Sequence, residues 1–231
     1  MPGNLEHHRI TEVPDSAYYI PDFITESKEK SLLDKIYTAP IPKWTCLSNR
    51  RLQNWGGLPH PKGMVQEKVP DWLQFEDIFS EYGLFGSHAP NHILVNEYKP
   101  GQGIMPHKDG PLYFPTVATV SLGCQTVLNF YRNNMDIDQN TCNEFMFSFL
   151  LERRSLLVLR EDMYINYLHG ISDVEVDNIS RESIKNSSLL GSKSLAQKVT
   201  KNDCFALPRD DTRVSITIRY VPKIIKFKFK T

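Results

Sequence analysis

His107 and Asp109 flank Lys108, His169 follows much later in the chain, and Arg213 and Arg219 lie beyond it. Two imidazoles and one carboxylate gathered on one side of an octahedron leave positions open, the ligand pattern of non-heme Fe(II) oxygen chemistry. The His107 segment reads as a strand, where alternate side chains share a face, so His107 and Asp109 point together and Lys108 turns away. A His two residues from an Asp also arises by chance, as a solvated polar pair. The tripeptide therefore takes its weight from its partners.

Those partners must be positioned by regular elements. In the stretch from His92 to Tyr98 the alternation puts Leu94, Asn96 and Tyr98 on one face of a strand, and Pro100-Gly101 turns the chain toward His107. A Tyr with its hydroxyl at a rim and an Asn bonded to the next turn would explain that pair equally well. Arg154 to Arg160 reads as a buried strand, Glu161-Asp162 as an acidic turn, and the following residues as a strand with Tyr167 and His169 on one face. Taken singly, His169 suits a hydrogen-bonded core position. Pairing with His107 and Asp109 reverses that preference, since His7, His8, His60 and His88 sit near the terminus, beside prolines or in a loop.

Arg213-Val-Ser-Ile-Thr-Ile-Arg219 has the cleanest alternation in the chain. Val214, Ile216 and Ile218 form an apolar face; Arg213, Ser215, Thr217 and Arg219 form the other. A solvent-facing polar side is the plain explanation. Arginine, however, presents a fixed fork of donors that matches a carboxylate and stays charged when desolvated, so two on one face suggest an anionic ligand.

In this order, Asn96-x-Tyr98, His107-x-Asp109, His169 and Arg213-x5-Arg219 resemble the AlkB family of Fe(II)/2-oxoglutarate-dependent dioxygenases. The likeness runs from about Tyr18 to Pro222. The surrounding text, 52–61, 103–113 and 154–160, is less like the family's DNA-repair members than like another mammalian branch. The resemblance implies that His107, Asp109 and His169 ligate Fe(II), and that Asn96 and Tyr98 contact 2-oxoglutarate. It implies that Arg213 pairs with the distal carboxylate of 2-oxoglutarate and Arg219 helps at its metal-proximal end, with Ser215 and Ser121 at further cofactor-pocket positions. One departure is that many relatives have Gly-Asp in the turn before the last histidine strand, where this chain has Glu161-Asp162. The implied reaction uses dioxygen, releases succinate and carbon dioxide, and hydroxylates a substrate C–H bond. On an N-methyl group the product collapses to formaldehyde and the demethylated amine. Three protein ligands are then as many as the reaction tolerates.

The composition agrees with an enzyme core. At 231 residues, with 40% hydrophobic and 23% charged, the chain can bury one sizeable core, and no break in composition demands a second domain, so residues 1–231 are expected to form one. The amino terminus lacks an apolar signal core and no long apolar run occurs, so neither secretion nor membrane spanning is expected. Cys46, Cys124, Cys142 and Cys204 are widely spaced and read as free thiols. The expected elements are a strand at 17–20, a helix over 25–38 burying Leu32, Leu33, Ile36 and Tyr37, irregular chain to about Val69, a helix near 71–82, and then mostly strands. This is a mainly β protein with flanking helices. Ligands on several strands around an interior pocket suit a double-stranded β-helix, or jelly roll. Residues 173–203, rich in Ser, Asn and Lys and without periodicity, are expected to be a mobile insertion.

Substrate class is less constrained. The chain's 27 basic and 27 acidic residues give no net attraction to nucleic acid. A local surface has to suffice, and Trp55 with Arg50 and Arg51 mixes a stacking group with cations, although core packing explains tryptophans as well. The carboxy-terminal alternation of lysines with apolar residues fits an edge strand protected by charge. Oxidative demethylation of alkylated DNA or RNA, by a monomer of the cytoplasm and nucleus, is the leading expectation. Competing readings are a hydroxylase or demethylase of a protein or small molecule and a non-catalytic nucleic-acid-binding relative. Zinc hydrolysis at the same ligands would leave the arginine strand without a purpose.

Overall fold

The computed structural model describes residues 4–14, 16–75, 79, 82–132 and 143–225. Two antiparallel sheets face each other. The larger joins β1 (Ala17–Ile20), β2 (Trp44–Leu47), β3 (Arg50–Trp55), β4 (His92–Tyr98), β6 (Thr116–Gly123), β9 (Leu156–Arg160) and β13 (Arg213–Arg219) in the order β1-β9-β6-β13-β4-β3-β2. The smaller joins β5 (Ile104–His107), β7 (Thr126–Arg132), β8 (Glu144–Leu151) and β10 (Tyr167–Ile171) in the order β5-β10-β7-β8. This is the jelly roll expected from the sequence.

The larger sheet is buried on both sides, and strand alternation sorts its two cores. Val214, Ile216 and Ile218 of β13 join Ile93 and Val95 of β4 and pack against Leu32 and Ile36 of α1 (Glu26–Tyr37). Between the sheets, Tyr19, Leu157 and Leu159 meet Phe130, Phe147 and Phe149 of the smaller sheet. Every residue of β13 is buried, so the polar face of that strand looks into the molecule, where a charged group is costly unless paired.

Helix α1 starts where its cap predicts, with the Thr25 hydroxyl accepting from the Lys28 amide at 3.2 Å. Of its expected core residues Leu32 and Ile36 are buried, Leu33 is half-buried, and Tyr37 is 45% exposed and stacks on Trp44. Glu29 is buried instead: its carboxylate accepts from the Gly123 amide (2.9 Å) and from Arg153 (2.8 Å), tying the helix to the sheet beneath it.

Three expectations are corrected. The stretch before Val69 is not irregular throughout, because β2 and β3 pair as a hairpin that extends the larger sheet. The acidic turn at Glu161-Asp162 is the start of a short helix, α2 (Glu161–Ile165), and Glu161 adopts φ +46, the left-handed conformation that glycine tolerates best. Residues 173–203 contain β11 (Val176–Ser180), paired with β12 (Cys204–Pro208), and α3 (Lys193–Lys201). Ile179, Ile184 and Val199 from this segment cover Val127 and Leu150 on the outer face of the smaller sheet. Its apolar residues are too sparse to show a period, yet they close a core.

The helix expected over 71–82 begins as a 3-10 turn at Asp71–Leu73, and most of the remainder lies outside the described residues. So do residues 226–230 of the expected lysine-rich edge strand. Cys46, Cys124 and Cys204 are free thiols, and Cys142 is not among the described residues.

Candidate metal and anion site

The sheets part around a cavity of about 550 Å³ lined by side chains from β3, β4, β5, β10 and β13. At one end stand His107, Asp109 and His169. Each offers one ligand atom, and the three atoms lie within 4.8 Å of one another. His107 and His169 are direct cross-strand partners on β5 and β10, with ring centroids 4.6 Å apart. Asp109 does not belong to the strand: β5 ends at His107, and Asp109 stands in the following loop, held by an ion pair with Arg219. Convergence there comes from the ion pair and not from strand alternation.

The protonation states favour metal binding. His107 Nδ1 lies 2.8 Å from the Met105 carbonyl, which can only accept; Nδ1 is therefore the donor of that bond, and Nε2 is the ring nitrogen left for a metal. Burial pushes His169 down to about 4, with nearby His107 and Arg219 acting in the same direction against Asp109, so it is neutral at physiological pH. Burial alone would raise the Asp109 carboxyl, but Arg219, His169 and His107 outweigh it and hold it below the usual carboxylate range. Arg219 engages Asp109 Oδ1, leaving Oδ2 as the available ligand atom. Two imidazole nitrogens and one carboxylate oxygen suit a divalent cation such as Fe(II) and leave positions open for other ligands.

The larger sheet supplies the rest in rows. Ser121, Ser215 and Asn96 are register partners across β6, β13 and β4, and Arg213 pairs with Tyr98 one step along. Arg213 donates to Ser121 Oγ at 3.0 Å and lies 5.7 Å from the centre of the Tyr98 ring. Its Nε is buried without a partner, and among the described residues no carboxylate is within ion-pair distance. Burial lowers its guanidinium to about 10, still charged at neutral pH. A buried, charged and uncompensated guanidinium fits a carboxylate-bearing cosubstrate. Arg219 differs, being neutralised by Asp109 and covered by the Tyr113 ring at 4.7 Å.

The three residues suggested for substrate contact separate. Arg50 lines the cavity and donates to Asn96 Oδ1 at 3.3 Å. Arg51 and Trp55 occupy the opposite face of β3. Arg51 forms a two-pronged pair with Glu97 (2.7 Å each) and covers Trp44, while Trp55 packs edge-on against Trp72 at 5.6 Å. Alternation along β3 sends both toward the helix layer, so neither reaches the cavity.

His92 escaped the sequence reading. It pairs with Arg219 across β4 and β13, is 1% exposed, has no hydrogen-bond partner for either ring nitrogen among the described residues, and its ring lies tilted against Tyr113 at 5.5 Å. Burial, then Arg219, lowers it to about 3, so it is neutral beside that arginine. Extending the Leu94, Asn96, Tyr98 parity by one step would have found it.

Comparison with known proteins supplies the family. The model of the 2OG-Fe(II) oxygenase superfamily matches residues 16–219. A Danio rerio protein named "Probable RNA/DNA demethylase ALKBH6" is 52% identical over 96% of this chain and 93% of its own length. A relative from Xenopus tropicalis is more distant.

 That relative, the tRNA (carboxymethyluridine(34)-5-O)-methyltransferase alkbh8, is 24% identical over 90% of this chain, which spans only 32% of its length. Among solved structures, that of OsALKBH1 superposes with a TM-score of 0.59 at 14% identity, covering 90% of this chain and 98% of that one, a likeness of fold. Fe(II), 2-oxoglutarate and dioxygen are the cofactor and cosubstrates of this superfamily, and the triad and Arg213 suit the first two. With a family model along most of its length and so similar a relative, the chain belongs to the AlkB family of 2OG-Fe(II) oxygenases.

Proposed function

We propose that this dioxygenase demethylates alkylated nucleic acid. His107, Asp109 and His169 would hold Fe(II); Asn96, Tyr98, Ser215 and Arg213 would hold 2-oxoglutarate, with Ser121 steadying Arg213 and Arg219 steadying Asp109. Bound together, Fe(II) and 2-oxoglutarate supply oxidation of a substrate C–H bond by dioxygen, coupled to decarboxylation of 2-oxoglutarate to succinate. The protein's own residues orient the cosubstrate, and Leu128, Leu157 and Leu159 in the wall exclude water.

The observation that carries the cosubstrate assignment is the uncompensated Arg213 in the same cavity as the triad. The substrate class rests on the name of the Danio rerio relative, at 52% identity. A base would have to leave any duplex stack to bring its methyl group to a metal held between two sheets. Such a protein would act as a monomer in the nucleus and cytoplasm. Among the described residues no helix is long and apolar enough to cross a membrane.

The test supplies Fe(II), oxygen and 2-oxoglutarate with a panel of N-methylated oligonucleotides and peptides, and measures succinate and formaldehyde. Formaldehyde dependent on an oligonucleotide supports the proposal. Formaldehyde with peptides alone would reassign the substrate, and absence of succinate in every reaction would remove the catalytic role.

A further inference from the structure

We infer that Arg50 is a positioning residue for 2-oxoglutarate and acts through Asn96. The inference rests on the reading of this cavity as the cosubstrate site. Arg50 opens β3 and lines the cavity with Ser48 and Asn49 of the β2–β3 turn. Its Nε donates to Asn96 Oδ1 at 3.3 Å.

A guanidinium has donors only, so whichever amide atom of Asn96 faces it must be the oxygen. The NH2 group is thereby left for the cavity, and among the described residues it has no hydrogen-bond partner. A carboxylate accepts hydrogen bonds and cannot donate them when ionised. Arg50 thus selects the amide orientation that serves a carboxylate; the flipped amide would present its oxygen and repel it.

Arg50 also stands near the other groups at this end of the cavity. Burial pushes the Tyr98 phenol up, and Arg213 and Arg50 are the first positive charges that pull against it. No carboxylate of the described residues pairs with Arg50, whereas its neighbour Arg51 is neutralised by Glu97. Alternation along β3 produces this difference: Arg50 faces the cosubstrate pocket and Arg51 the helix layer.

A merely structural Arg50 would tie the hairpin to the sheet without altering ligand affinity. The test uses the full chain loaded anaerobically with Mn(II), and titrates 2-oxoglutarate by calorimetry into the unsubstituted protein and the Arg50→Ala, Arg50→Lys, Asn96→Ala and Arg50→Ala/Asn96→Ala variants. Arg50→Ala should weaken binding about tenfold, as loss of an oriented hydrogen bond to a charged group does. In the Asn96→Ala background the same substitution should cost less than about twofold, because the group it positions is gone. Arg50→Lys, which still offers only donors, should keep most of the affinity.

Equal losses in both backgrounds would overturn the inference, since Arg50 would then act on the ligand directly. Unchanged affinity in Arg50→Ala would overturn it too, and would return the residue to substrate binding or hairpin stability. Failure of the unsubstituted protein to bind 2-oxoglutarate would instead reject the reading of the cavity on which the inference stands.

Discussion

Asp109 is shared between two demands. Arg219 takes one carboxylate oxygen, so the metal is offered the other, and three protein donors leave half an octahedron free. His107→Ala or Asp109→Ala should therefore lose bound metal and turnover together, measured by metal content after desalting and by succinate formation. Arg213→Ala should leave the metal in place and raise the 2-oxoglutarate KM roughly 10- to 100-fold, the worth of a charge-assisted hydrogen bond. Unchanged KM would refute that role. Acid acts on the same residues. His169 is lowered to about 4 and His92 to about 3, below their unfolded value of 6.5, so as pH falls from 6.5 toward those values the unfolded chain takes up protons that the native one refuses. Asp109, also lowered, loses its native-state advantage in the same direction as it protonates. The metal-free protein should keep a level Tm above about pH 7 and lose several degrees on acidification below about 6.5, with the expected slope set by proton linkage. A flat Tm across that window would contradict the burial of these groups.

Strands are where the sequence spoke most clearly. The parity of β13 alone separated the apolar face from the arginines, and that of β4 placed Asn96 with Tyr98. The β2–β3 hairpin was not legible, because Trp44–Leu47 and Arg50–Trp55 carry no simple apolar alternation: β3 is buried partly by ion pairs and stacked rings instead. For that reason the sequence left Trp55 open between a stacking group and packing, and it lies edge-on against Trp72. Nor could spacing reveal that Asp109 leaves the strand, since its position is fixed by Arg219, far away in sequence. The edge strand β5 depends on a close approach: a Cβ on Gly103 would meet the Ile171 carbonyl oxygen at 2.2 Å. Gly103→Ala should push β5 away from β10, costing about 1–3 kcal/mol in urea unfolding. It should weaken metal binding too, because His107 and His169 face each other across that pair. Retained metal affinity at unchanged stability would show that the strand can yield without cost.

At the scale of the molecule, the segment taken for a loose insertion is joined to the active-site wall by one buried side chain. Arg209 makes two 2.7 Å bonds to Asp177 of β11 and also donates to the carbonyls of Gln102 and Ser172, which lie beside β5 and β10. Sequence spacing hid this link because its members are scattered over the chain and Asp177 sits in a stretch without period. Arg209→Ala leaves the Asp177 carboxylate buried and unpaired, and should destabilise the protein by about 3–5 kcal/mol in chemical denaturation. A loss below about 1 kcal/mol would mean that water readily replaces the pair. The burial of β13 on both faces has a different kind of consequence. Lengthening or shortening a surface loop leaves facing intact, but removing one residue inside β13 would invert every residue on one side of the deletion, turning an arginine toward α1 and isoleucines toward the cavity. The strand therefore behaves like a reading frame: over 213–219 a substitution disturbs one position, whereas a frameshift in space would disrupt the anion site and the outer core in a single event.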